Sequence, residues 1–126
     1  GVNIGLFCST PMVALSRNVS RKHAMEMLLT GDFISAGRAY EIGLVNRVVP
    51  REQVLDAAIS LAKAIAVNAP LAVYEALSVA KETMVLSDED GSRIARAALQ
   101  RLRATEDSKE GVRAFLEKRT PTYVGR

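Results

Sequence analysis

The stretch Ser20–Pro50, SRKHAMEMLLTGDFISAGRAYEIGLVNRVVP, is crowded with helix starts and stops. That crowding most limits what the chain can fold into. Ser20 offers a hydroxyl to the free N–H groups of a first helical turn. Ala24, Met27 and Leu28 follow at the i, i+3, i+4 spacing of one buried helical face. Gly31 stands where a left-handed residue closes that helix at low cost. Phe33 and Ile34 read as extended. Ser35 then caps a second short helix, Ala36 to Ile42, and Gly43 ends it. Leu44 to Val49 is rich in β-formers and Pro50 stops it.

The rest of the chain follows the same grammar, giving seven expected helices. Thr10 and Pro11 form a cap followed by proline at the first helical position, opening a helix to about Asn18. The helices from Arg21 and Ala36 come next. A longer one is expected from about Arg51 to Val67, with Val54, Ala58, Leu61, Ala62 and Ile65 on one face. Ala69-Pro70 starts another to about Met84, with Val73, Leu77, Ala80 and Met84 as its stripe. Ser87-Asp88-Glu89-Asp90 resembles a capping box. The helix it opens places acid at its start and Arg101 and Arg103 at its end, which suits the macrodipole. Its stripe is Ile94, Ala97, Ala98 and Leu102. Asp107 with Glu110 opens the last helix, carrying Val112, Phe115 and Leu116, and Pro121 prevents its continuation. The tail from Thr122 to Arg126 is expected to be loose.

These helices take up about two-thirds of the chain, twice the usual share. The expected fold is therefore mainly α with short β pieces. One boundary is expected near Pro50, dividing a mixed region (1–50) from a purely helical one (51–126).

Composition excludes several classes. Hydrophobic residues make up 48% of the 126, too many for a disordered chain. No apolar run approaches the roughly 20 residues that span a bilayer, so no membrane partner is expected. The start, GVNIGLFCST, lacks both the initiator Met and the pattern of a signal peptide, which fits a processed chain or a portion of a longer one. The single cysteine, Cys8, permits no internal disulfide, so a reducing compartment, the cytoplasm, is expected. The charge of +3 suits an acidic ligand without requiring one. Aromatics are 5% and tryptophan is absent, which leaves little for stacking nucleic-acid bases.

Few side chains suggest chemistry. His23 is the only histidine, and only Glu26 at i+3 accompanies it, so it reads as solvated and no metal site is expected. Cys8, before a helix start, reads as structural or ligand-lining, since no second histidine exists to activate it. The loop Gly5-Leu6-Phe7-Cys8-Ser9-Thr10 aims free N–H groups beyond itself. It is either a wall of an acyl or phosphate pocket, with Gly5, Cys8 and Ser9 lining it, or an ordinary connection; it is not a P-loop. Arg93, Arg96, Arg101 and Arg103 make a basic streak whose mixed charges argue for a solvated face rather than nucleic-acid binding. Lys109, Arg113, Lys118 and Arg119 could meet a phosphate.

Taken in order, AMEMLLTG (Ala24–Gly31), ISA (Ile34–Ala36), EIGLVNRVVP (Glu41–Pro50) and TEDSKEGVRAFLEKRTP (Thr105–Pro121) resemble the enoyl-CoA hydratase/isomerase (crotonase) family across essentially the whole chain. Members are roughly twice this length, so the resemblance implies a C-terminal half. It would comprise the end of the α/β spiral core and the helical region through which members form trimers or dimers of trimers. It also implies an acyl-CoA thioester as substrate, with no further cofactor. In hydratases two backbone N–H groups hold the thioester enolate and two glutamates handle water. The oxyanion hole and the first glutamate have no counterpart here. Gly1 falls at the place of the second, so no catalytic residue is expected in this chain. The GLFCSTP loop (Gly5–Pro11) resembles a divergent hydratase-like subgroup. AFLEKR carries onto Phe115 and Lys118 the family's phenylalanine and lysine beside the adenine and ribose phosphate of coenzyme A. The rival for Phe115 is core packing with Val112. The rival for the whole chain is a non-catalytic helical module acting through oligomerisation.

Overall fold

The computed structural model describes residues 1–126 and divides into two compact units, Gly1–Val54 and Leu55–Arg126. The first holds a 3-10 turn, Val2–Ile4, then α1 (Ser9–Asn18), α2 (Arg21–Thr30) and α3 (Ala36–Glu41). α2 packs on α1 and on the opening turn. Ala24 of α2 and Ala39 of α3 are its buried apolar residues. Gly31 adopts φ 70°, the left-handed closure expected after α2. Its hydrogen faces Asn3, whose Oδ1 would lie 2.8 Å from an added Cβ, so a substitution would also shift the Asn3 side chain.

The second unit holds α4 (Val54–Ala66), α5 (Pro70–Thr83), α6 (Asp88–Arg103) and α7 (Glu106–Glu117). A 3-10 turn at Arg51–Gln53 leads into α4. α5 and α6 share the most extensive helix contact, and α7 packs on α6. Arg101 of α6 lays its fork on Glu75 of α5, with Nε and Nη2 each 2.9 Å from a carboxylate oxygen. That pair draws the Glu75 carboxyl below its ordinary range, chiefly through the hydrogen bonds it accepts. Ala98 and Ala114 are buried and let the helix axes approach closely.

Most expected boundaries fall within two residues of the observed ones, and the differences are local. α1 begins at Ser9, with Cys8 in the cap position, rather than at Thr10-Pro11. Ser20 precedes α2, but its Oγ lies 3.1 Å from His23 Nδ1 and makes no bond to the helix backbone. Ser35 and Ser87 do cap, accepting from the N–H groups of Arg38 and Asp90. Thr105, not Asp107, caps α7 and accepts from Ser108 N–H. The extended pieces at Phe33–Ile34 and Leu44–Val49 form no strand, because neither meets a partner to share a ladder with.

Every buried apolar residue is an alanine, while large apolar side chains are left open. On α4, Leu55 and Ile65 are 69% and 48% exposed. The accessible surface is 10129 Å², against about 6,600 Å² for a compact monomer of this mass. The apolar stripes read from the sequence are thus present as helix faces without being closed into a large core. No single helix is long and apolar enough to cross a membrane, although α4 and α5 with the turn before them pass such a test as a bent pair.

Candidate functional site

α7 and the tail that follows it are tied together by carboxylates that accept from backbone N–H groups. Asp107 is 2% exposed, the one buried polar residue. Its carboxylate accepts from Val124 N–H at 2.7 Å and Gly125 N–H at 2.9 Å, and its own N–H donates to the Arg126 carbonyl at 3.1 Å. Three residues on, Glu110 accepts from Thr122 N–H at 3.0 Å. Arg119 meets the same carboxylate with a two-nitrogen fork, at 2.6 and 2.9 Å. The fork, helped by Thr122 N–H, lowers the Glu110 pKa to about 2. Gly111, the next residue, leaves room for the Tyr123 ring, whose hydroxyl would stand 3.2 Å from an added Cβ. The tail expected to be loose is therefore strapped back along α7. Contacts spanning 17 and 18 residues hold it, and no local signal predicts them.

α7 ends on Lys118, the only non-glycine residue with positive φ, at 54°. Its N–H donates to the Phe115 carbonyl and that of Arg119 to the Ala114 carbonyl, a Schellman closure with lysine in the seat glycine usually takes. Phe115 is 82% exposed, and Val112 and Leu116 beside it are open too. Phe115 and Lys118 thus share one open helix end. They stand apart from the cleft of about 360 Å³ lined by Lys109, Glu110, Arg113 and Arg119. Lys118 has no carboxylate partner, whereas Arg119 is bound by Glu110 and Glu117.

The N-terminal loop places its expected site residues differently. Gly5 is left-handed at φ 75°, and Gly5, Cys8 and Ser9 are all exposed. Of the loop's N–H groups, those of Gly5 and Leu6 turn inward, to the carbonyls of Val2 and Gly1. Gly1 lies against Cys8: an added Cβ would be 3.1 Å from both its N and its Sγ. A side chain at position 1 would need the Phe7–Cys8 backbone to give by a few tenths of an ångström.

His23, read from the sequence as solvated, is half-buried and bonded on both nitrogens. Arg38 Nη2 donates to Nε2 at 3.2 Å. The ring proton is therefore on Nδ1, which donates to Ser20 Oγ. Arg38 also pairs with Glu41. His23 and Arg38 border a cleft of about 370 Å³ with Glu26, Asp32 and Phe33. No trio of His, Cys, Asp or Glu side chains comes together as a metal site.

A family model described as enoyl-CoA hydratase/isomerase matches residues 1–126. The chain is 41% identical over 123 residues to enoyl-CoA hydratase domain-containing protein 3, mitochondrial, of Rattus norvegicus, covering 98% of itself and 41% of that protein. It is 38% identical over 112 residues to 2,3-dehydroadipyl-CoA hydratase of Escherichia coli, covering 89% of itself and 44% of the relative. Among solved structures it superposes on enoyl-CoA hydratase of Mycobacterium smegmatis with a TM-score of 0.93 at 41% identity, covering 98% of itself and 48% of that chain. It thus spans less than half the length of each of these relatives. With a family model matched along its full length and three such likenesses, this chain belongs to the enoyl-CoA hydratase/isomerase family.

Proposed function

We propose that this chain is the carboxyl-side portion of an acyl-CoA-binding hydratase/isomerase of fatty-acid metabolism. In this reading it supplies cofactor contacts and subunit contacts, while the reacting groups lie outside it. Phe115 stacks by the adenine and Lys118 meets the ribose phosphate of the coenzyme A thioester. The observation that carries the reading is the end of α7, where an open aromatic ring and an unpaired ammonium stand on one backbone turn. An aromatic face and a cation are what an adenine nucleotide phosphate calls for. Gly5, Cys8 and Ser9 border the acyl side. Gly1, packed on Cys8, brings no acid or base to the position that a hydratase fills with glutamate. The whole protein assembles as a trimer or hexamer, and its lone exposed thiol suits the cytoplasm.

A second reading, a non-catalytic helical module working through oligomerisation, draws on the open faces of α4 and α5. Thermal denaturation with and without coenzyme A separates the two. A melting temperature that rises with coenzyme A supports the first. A concentration-dependent trimer indifferent to coenzyme A supports the second and refutes the first.

A further inference from the structure

We infer that Glu110 is a positioning residue for Lys118, fixing the backbone on which the ammonium is presented to a phosphomonoester such as that on the ribose of coenzyme A. The inference rests on the reading above and extends it to residues that touch no ligand. Lys118 is held in a conformation that lysine rarely adopts. Such conformations persist where the surroundings over-determine them.

Both of its neighbours are tied. Arg119 Nε donates to Glu117 Oε2 at 2.6 Å, bridging directly across Lys118. The other two guanidinium nitrogens of Arg119 are taken by Glu110. Glu110 in turn receives Thr122 N–H, so the segment is anchored on both sides of the left-handed residue. Arg119 thereby has all three nitrogens on carboxylates, and its charge is offset by Glu110 and Glu117. Lys118 has no such partner, and its ammonium is a compact point charge with three donors on a flexible stem. The division of labour is that Arg119 holds and Lys118 contacts.

Calorimetric titration of coenzyme A and of dephospho-coenzyme A, which lacks the ribose 3′-phosphate, tests this. The parent protein should prefer coenzyme A by about two- to fivefold, the worth of one exposed ion pair. Glu110→Gln should bring that ratio close to one, as should Lys118→Ala, with the circular dichroism spectrum unchanged. Arg119→Lys, which keeps the charge but loses the fork, should also reduce the ratio. It serves as the second variant should Glu110→Gln fold poorly. A merely structural role for Glu110 would weaken both ligands equally and leave the ratio intact; that outcome overturns the inference alone. If the parent protein binds neither ligand, the acyl-CoA reading falls and the inference with it.

Discussion

Replacing Asp107 by asparagine tests how the tail is held. The carboxylate is buried and accepts two backbone N–H groups, from Val124 and Gly125. Asparagine has nearly the same shape but only one acceptor oxygen, and its NH₂ group would face an N–H group. One bond to a charged acceptor is lost and the other becomes neutral. Bonds to charged groups contribute about 1.5–3 kcal/mol and neutral ones about 1. The freed N–H group can turn to water as the strap lifts, which limits the loss to about 2 kcal/mol. For a chain of this length that lowers the melting temperature by about 8 °C. Thermal denaturation followed by circular dichroism gives the shift. Hydrogen exchange at the Val124 and Gly125 amides reports whether the strap itself has opened. A shift under about 2 °C, with both amides still slow to exchange, would refute the reasoning that Asp107 holds the tail.

Lys118→Gly should relieve the left-handed strain and stabilise the chain by about 0.5–1 kcal/mol, raising the chemical denaturation midpoint; a lower midpoint would show that lysine is unstrained there. Glu110, held at a pKa of about 2 against an ordinary 4.5, favours folding above the ordinary value. That contribution is lost as pH falls from about 4.5 towards about 2, so the Thr122 amide resonance should titrate near the lower value. A midpoint near 4.5 would mean that the Arg119 fork is not formed in solution. Gly31→Ala must adopt φ 70° and crowd Asn3, so it should cost about 1–2 kcal/mol in denaturant titration, and a neutral result would contradict the tight turn after α2.

Much of the helical layout was legible because its signals are local. Ser35, Ser87, Gly31 and the Ala69-Pro70 break act within a turn of where they sit, and the structure uses each of them. What escaped depends on distant partners. Asp107 reads as a helix cap until its carboxylate is seen turned to a tail 17 residues on. The Ser20 hydroxyl was expected to meet backbone, but an imidazole lies closer to hand. Val45 and Val48 favour a strand, yet a strand needs a neighbouring edge and none is present. At the candidate site, Phe115 and Lys118 came from resemblance. The clamp formed by Glu110, Arg119 and Glu117 did not, although Arg119 with acidic residues two and nine positions before it was a visible clue.

Hydration of crotonyl-CoA by the isolated 126-residue chain is the most direct measurement. With glycine at position 1 and no acid–base pair assigned to a thioester, we expect no turnover above buffer. Hydration at the rate of an ordinary hydratase would contradict the claim that the reacting groups lie outside this chain.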